Sequence, residues 1–174
     1  MNKRGHVSNA ILLSIGLGVV LTVSPTTPLT PATAEAAGLK VAELFVPVVL
    51  GALFPDVDTA FGKHRKLLHN VFVVGILFGY ILAFDNLHYV WIGVLTHYVL
   101  DIAGSKRGLA LLYPLTSKEY NLPTGVATSS GYAGVVTVVI TIAELAILAG
   151  VHYYVVSLNV TASQATQALA TIGF

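Results

Sequence analysis

Five apolar stretches, separated by short polar segments, constrain the fold of this 174-residue chain more than any other feature. Of its residues 55% are hydrophobic and only 10% are charged, and the mean hydropathy is +0.80. A soluble domain carries about 25% charged residues, so this composition indicates an integral membrane protein. The length predicts one membrane-embedded domain over residues 1–174. Because the chain contains no cysteine, any metal site must use nitrogen and oxygen ligands.

The stretches predict an all-α fold, a bundle of about five transmembrane helices. A helix needs ~20 apolar residues to cross the bilayer core, although about 17 are sufficient. The predicted spans cover residues 8–23, 39–54, 68–84, 88–103 and 132–158. Short spans are expected where helix ends are buried in a protein site rather than in lipid. An irregular external loop is predicted for residues 24–38, which are rich in Thr, Pro and Ala, and an external tail for 159–174.

The basic residues give these spans an orientation. They precede the first span and lie in the loops after the second and fourth, namely Lys3, Arg4, Lys63, Arg65, Lys66, Lys106, Arg107 and Lys118. Positively charged loops stay in the cytoplasm, so the pattern predicts a multi-pass protein of the cell membrane with its N-terminus inside and its C-terminus outside. A cleaved signal peptide within residues 1–38 is the alternative, and its removal would take His6 with it.

Histidine and aspartate residues gather on the predicted cytoplasmic side. Imidazoles and carboxylates are costly near hydrocarbon, so such a cluster is a functional-site hypothesis. His97 and Asp101 are four residues apart and project from one face of a helix. Asp56 and Asp58 alternate in a predicted extended turn after Pro55, where one can ligate while the other orients a histidine. The candidate metal ligands are His6, Asp56, Asp58, His64, His69, His97 and Asp101.

These donors predict a divalent-metal site. A set of nitrogen and oxygen ligands admits Zn, Mn, Mg or Fe, and several carboxylates permit more than one ion. Sites with several ions hydrolyse esters, especially phosphoesters, because one ion lowers the pKa of a bound water while another stabilises the reacting oxygens. Asp58 and Asp101 are the predicted catalytic residues, as a bridging ligand or a general base.

Positive and aromatic residues near the predicted site suit an anionic substrate. The predicted substrate-binding residues are Arg65, Lys66, Lys106, Arg107 and Tyr113. Cationic side chains at the mouth of the site can bind phosphate. As an alternative, the cations determine topology beside anionic headgroups and Tyr113 is an interfacial anchor.

The order of the motifs resembles a known family. After His6 come Gly51-Ala52-Leu53-Phe54-Pro55-Asp56-Val57-Asp58, His64-Arg65 with His69, His97 with Asp101, and Gly108 with Leu112-Tyr113-Pro114-Leu115. Over residues 5–116 the chain resembles the membrane-bound predicted metal-dependent hydrolases of the LexA-regulated inner-membrane type. In their His/Asp order these hydrolases are similar to zinc-dependent phospholipases C and trizinc nucleases.

That resemblance implies a helical site in which the seven candidate ligands hold two or three zinc ions, with Mn or Mg as alternatives. It also implies hydrolysis of a phosphoester, including one in a phospholipid. The chain departs from the pattern at Asn70, where the family commonly has Ser, and in the short segment between Asp58 and His64. The short segment removes a loop that could carry substrate contacts.

Two other function classes fit a His/Asp cluster in a membrane protein. A metal-ion or proton transporter would need polar residues through the bilayer midplane, where Glu144 is nearly alone. A structural metalloprotein would use its ions only to join helices and leave no open coordination position. Gly75 and Gly79 form a Gly-x-x-x-Gly face that predicts tight helix packing or a homo-oligomer. Nothing in the sequence points to nucleic acid.

Overall fold

The computed structural model of the chain describes residues 1–61 and 65–156. Within them lie five α-helices, α1 (Lys3–Val20), α2 (Pro31–Leu53), α3 (Val71–Phe84), α4 (Val90–Gly104) and α5 (Ala133–Gly150). A 3₁₀ helix (Pro55–Phe61) follows α2, and a π-helical turn (Val151–Val156) extends α5. No strand forms in these residues, which confirms the predicted all-α class. The predicted tail 159–174 lies outside the described residues.

Two of the described helices are long and apolar enough to cross a membrane. They are Pro31–Phe61, which includes the 3₁₀ helix, and Ala133–Val155. Helices α3 and α4 are apolar but have only 14 and 15 residues, fewer than the ~20 of an ordinary span. Residues 1–61 and 65–156 are thus all-helical with two candidate spans, and the count of five spans stays a prediction.

Helix α2 begins earlier than the sequence suggested. The predicted loop 24–38 is wrong for residues 31–38, because a capping box starts the helix at Pro31. The hydroxyl of Thr30 accepts a hydrogen bond from the Thr33 amide (3.2 Å), and the Thr33 hydroxyl accepts one from the Thr30 amide (2.7 Å). Proline suits the first helical position because its fixed φ is already helical and its missing N–H is not needed there.

Helices α1, α2, α4 and α5 pack into the bundle that carries the site. The apolar core lies between α1 and α2 and consists of Ala10, Leu13, Leu17, Leu44, Val48 and Ala52. Helices α2 and α4 cross in close contact at Gly51 and Gly93. A Cβ at Gly51 would lie 2.0 Å from the Val90 carbonyl oxygen, and one at Gly93 would lie 2.0 Å from that of Val48. Only glycine permits this approach, which brings α4 against the end of α2.

Helix α3 lies at the side of this bundle. None of its residues is buried, and its main contact is with α4. Its first turn is fixed by Asn70, whose side-chain oxygen accepts hydrogen bonds from the amides of Phe72 (3.1 Å) and Val73 (3.2 Å). The position at which α3 begins therefore depends on a local cap rather than on packing of the helix.

A segment between α4 and α5 folds back over the loop that precedes α3. Leu109 and Ala110 are fully buried within it. The Ala110 amide donates to the Arg65 carbonyl (3.3 Å), and the Val71 amide donates to the Leu111 carbonyl (2.9 Å). These hydrogen bonds fix the loop that supplies Arg65 and His69 to the site.

Candidate metal centre

Five of the seven predicted ligands converge where α1, the 3₁₀ helix, the loop before α3, and α4 meet. Their side chains are almost fully buried, with 11% exposure for Asp56 and at most 1% for His6, His69, His97 and Asp101. They form two overlapping groups, His6–His97–Asp101 and Asp56–His69–His97. Within each group, one ligand atom per residue lies within 4.8 Å of the others. His97 is common to both groups.

Neighbouring acceptors determine which ring nitrogens can ligate. His97 Nδ1 lies 2.6 Å from the carbonyl oxygen of Ala52, which can only accept, so Nδ1 carries the hydrogen. His69 Nδ1 lies 2.9 Å from Asp58 Oδ2 and donates to that carboxylate. When each ring is neutral, its lone pair is therefore on Nε2. A ring held through Nδ1 by a carbonyl or a carboxylate is the usual arrangement of a metal-ligating histidine.

The two lone pairs face each other. His69 Nε2 and His97 Nε2 are 3.1 Å apart, which is unfavourable for two acceptors without a proton or a cation between them. Nitrogen ligands bind zinc at ~2.0–2.1 Å, so two of them on one tetrahedral ion lie about 3.3 Å apart. Asp56 Oδ1 lies 3.9 Å from each nitrogen. This triad fits a divalent cation in donor type and in spacing.

The second group contains a histidine whose ring makes no hydrogen bond to the described residues. Both ring nitrogens of His6, Nδ1 and Nε2, are buried and lack a hydrogen-bond partner there. Its ring stacks on that of His97, with 3.6 Å between the ring centroids. His6 Nε2 lies 3.4 Å from Asp101 Oδ1, and His97 Nε2 lies 3.7 Å from Asp101 Oδ2. Because buried polar groups are normally satisfied, an orphaned imidazole beside a carboxylate indicates a cation site.

An amino group and a guanidinium lie beside Asp101. The α-amino group of Met1 donates to Asp101 Oδ1, and Arg65 Nη2 lies 3.6 Å from the same oxygen. Burial, with the Arg65 guanidinium as the next contribution, lowers the pKa of the Met1 amino group from 8.0 to about 5. The amine is therefore mostly uncharged at neutral pH. Burial also lowers the pKa of Arg65, and the nearby Arg107 acts in the same direction.

Arg65 is held in a specific position. Its Nη1 donates to the Arg107 carbonyl (2.7 Å), and both terminal nitrogens lie 3.3 Å from the Ser105 hydroxyl. Its side chain is only 5% exposed, and its Nε has no hydrogen-bond partner among the residues that the structure describes. The backbone of Arg65 has a φ of 68°, in the left-handed region that is unfavourable for a residue with a Cβ. The fold thus places a buried guanidinium beside the carboxylate of the candidate centre.

The remaining predicted site residues lie in different places. Asp58 is fully buried behind His69 and also accepts from the Leu68 amide (3.4 Å). His64 lies outside the described residues. Lys106 and Arg107 are exposed, while Lys66 and Tyr113 are half-buried, and the substrate role of these four stays a prediction. Sequence reasoning missed Ser105 and the Ala52 carbonyl, and it missed Asn9 and Thr96, which lie in apolar helices close to His6 and His97.

These observations define the class: an all-helical membrane protein with a buried His/Asp cluster that could hold a metal ion. The family described as YdjM inner membrane protein matches residues 1–170, and the chain belongs to this family. The protein is therefore located in the inner membrane, where the lipid bilayer surrounds its apolar helices. No curated protein and no solved structure matches the chain.

Proposed function

We propose that this protein is a membrane-embedded, metal-dependent hydrolase of phosphoester bonds, with a lipid-linked phosphoester as its substrate. The observation that carries the proposal is the convergence of three buried donor atoms, with His69 Nε2 and His97 Nε2 3.1 Å apart and Asp56 Oδ1 3.9 Å from each of them. The proposal includes one domain over residues 1–174, five spans, and an inside N-terminus. The site then opens at the cytoplasmic edge of the membrane, at headgroup depth.

The arrangement supports two ions, and zinc is the first choice, with Mn or Mg as alternatives. His97 has a single lone pair because its Nδ1 hydrogen is used by Ala52, so it serves one ion together with His69 and Asp56. His6 and Asp101 then belong to the second ion. Asp101 turns one oxygen toward His6 and the other toward His97, which is the arrangement expected of a bridging carboxylate. His64 is the candidate for a further ligand.

Asp101 and Asp58 have different roles in the proposed hydrolysis. When bound, such ions lower the pKa of a bound water to about 7 and polarise a phosphoryl oxygen. Asp101 belongs to the His6–His97–Asp101 group and lies 3.7 Å from the shared His97, where its carboxylate could accept the proton of an attacking water. By accepting the Nδ1 hydrogen of His69, Asp58 fixes the tautomer in which the lone pair of the neutral ring is on Nε2, so we assign Asp58 an orienting role.

Arg65 supplies the contact for an anionic substrate. A guanidinium recognises phosphate through several N–H donors at once, and Nε of Arg65 has no acceptor within the described protein. Its fixed position beside Asp101 puts positive charge next to the reacting group. Lys66, Lys106, Arg107 and Tyr113 belong to the segments around this loop, and we assign them to the headgroup end of the substrate.

Elemental analysis of the detergent-purified protein tests the proposal. The wild type should contain two or three zinc or manganese ions per chain, and a His97→Ala, Asp101→Ala double variant should lose them. His88→Ala is the matched control, because His88 is exposed and its Nε2 contacts Asp85, outside the candidate centre. The metal-loaded wild type and the control should hydrolyse phosphodiester or phospholipid substrates, and the double variant should not.

Three outcomes would contradict the proposal in different ways. A wild type that remains metal-free after reconstitution with divalent ions would exclude the metal centre. A wild type that binds the ions tightly but hydrolyses none of these substrates would point to a structural metalloprotein. Metal counterflow across liposomes by the wild type, lost in the double variant, would point to a transporter instead.

A further inference from the structure

A second buried polar cluster joins α1, α4 and α5. Asn9, Thr96 and Thr141 are at most 3% exposed, and they surround the carboxyl group of Glu144. Glu144 lies at the middle of the 23-residue apolar helix Ala133–Val155. An ionised carboxylate at that depth of a bilayer is unfavourable unless it has a compensating partner.

The cluster is closed by short hydrogen-bond contacts. Asn9 Nδ2 lies 2.9 Å from Thr141 Oγ1 and 2.8 Å from Glu144 Oε2. Thr96 Oγ1 lies 2.7 Å from Glu144 Oε1 and also contacts Asn9 Oδ1. The Thr141 hydroxyl uses its own hydrogen on the Thr137 carbonyl (2.8 Å). It can therefore only accept from Asn9.

Counting hydrogens shows that one proton is missing if Glu144 is ionised. The Thr96 hydroxyl has a single hydrogen but lies between two oxygens, Asn9 Oδ1 and Glu144 Oε1. An ionised Glu144 leaves one of these contacts without a hydrogen. A protonated Glu144 donates to Thr96, which then donates to Asn9, and every donor and acceptor of the cluster is satisfied.

Rotating the Asn9 amide does not remove the deficit. Its oxygen would then face Glu144 Oε2 and Thr141 Oγ1, and the Thr141 hydrogen is already used. Titratable side chains on the two helices packed against α5 are Lys3, Arg4, His6, His97, Tyr98 and Asp101. Within the described residues none of them contacts Glu144, so no neighbouring cation compensates a negative charge there.

We propose that this cluster is a buried proton site in which Glu144 is a neutral carboxylic acid that donates to Thr96. Its proton joins the three helices and makes Glu144 a positioning residue for the candidate metal centre. Asn9 lies one helical turn from His6, and Thr96 is next to His97 in the chain. The proton site rests on hydrogen-bond geometry alone, whereas its effect on the centre rests on the proposed metal binding.

Infrared spectroscopy of the full-length protein in detergent tests the proton site directly. The wild type minus Glu144→Gln difference spectrum at neutral pH should contain the carbonyl stretch of a protonated carboxylic acid, shifted on exchange into D₂O. A difference spectrum with carboxylate bands only would overturn the proposal. This measurement needs neither metal nor activity, so its outcome is independent of the proposed function.

Zinc titration of three variants tests the positioning role. A glutamine amide can donate to Thr96 and accept from Asn9, so Glu144→Gln should keep zinc affinity within about twofold of wild type. Glu144→Leu and Thr96→Val break the network and should reduce the zinc affinity roughly tenfold. This is the lower end of the roughly 10- to 100-fold loss typical of substitutions outside the ligands themselves. Unchanged affinity in both variants, or an equal loss in Glu144→Gln, would contradict this role. If the wild type binds no zinc, the positioning role fails, and the infrared band alone decides the proton site.

Discussion

The candidate metal centre and the Glu144 cluster are both buried and polar, and both use side chains from α1 and α4. They differ in whether their buried polar atoms all have hydrogen-bond partners within the protein. At the centre, the His6 ring lies beside Asp101 with no hydrogen-bond partner in the described part of the chain. In the Glu144 cluster, every donor and acceptor is paired once a single proton is present. A buried ring without a partner beside a carboxylate indicates a cation, whereas a closed network needs only a proton.

The largest effect is expected from removing a ligand of the centre. His69→Ala deletes one of the facing nitrogens and should reduce zinc affinity by more than the roughly 100-fold upper value for outer-shell substitutions. Isothermal titration with a competing chelator measures this, with His88→Ala as the control. Equal zinc affinity in His69→Ala and the control would remove the distinction between the two clusters.

A smaller loss is expected when only the partner of a ligand changes. Asp58→Asn keeps an acceptor for the His69 Nδ1 hydrogen but removes the negative charge, so zinc affinity should fall roughly 10- to 100-fold. The same chelator competition applies. A loss as large as that of His69→Ala would show that Asp58 is itself a ligand, as the sequence alone suggested.

The helix crossing that brings the centre together should be sensitive to one methyl group. Gly93→Ala places a Cβ against the Val48 carbonyl and should lower the free energy of unfolding by about 1–3 kcal/mol. Gly75→Ala on α3 meets nothing within 4 Å and should change it by about 1 kcal/mol or less. Thermal unfolding in detergent compares them. Equal midpoints would show that the α2–α4 contact is not as close as described.

The smallest effect concerns the hydroxyl of the closed network. Thr96→Val leaves the oxygens of Asn9 and Glu144 without their shared partner and should lower the free energy of unfolding by about 1–2 kcal/mol. Thr96→Ser keeps the hydroxyl and should stay close to wild type in the same thermal unfolding assay. If serine and valine destabilise equally, packing rather than hydrogen bonding holds this cluster.

Much of the fold follows from hydropathy, since each apolar stretch locates one of the five described α-helices, although the start of α2 lies eight residues before its predicted span. The start of α2 was missed because the signal is a local cap at Thr30 and not a change in hydropathy. The predicted extended turn after Pro55 is wrong, because residues Pro55–Phe61 form a 3₁₀ helix. That helix turns Asp56 toward the centre and Asp58 behind His69.

The candidate ligands were visible in the sequence because imidazoles and carboxylates are conspicuous among apolar residues. The sequence did not show which of these residues are ligands and which support a ligand, because this depends on which atoms meet across helices that are far apart in the chain. The sequence also set Glu144 apart from its apolar neighbours, but not its hydrogen-bond partners Asn9 and Thr96. Asn9 could have been noticed, because it lies three residues after His6 on one helical face.

The point at which α2 stops has a consequence for how the centre can change in evolution. A helix leaves its last carbonyls without partners, and α2 ends at Leu53, just before Pro55, so the carbonyl of Ala52 is free to accept from His97. Because this acceptor belongs to the main chain, no side-chain replacement at position 52 can delete it. The tautomer of His97 is therefore set by where α2 ends and is robust to a point mutation at position 52. The tautomer of His69 depends instead on the side chain of Asp58, which a single substitution can remove.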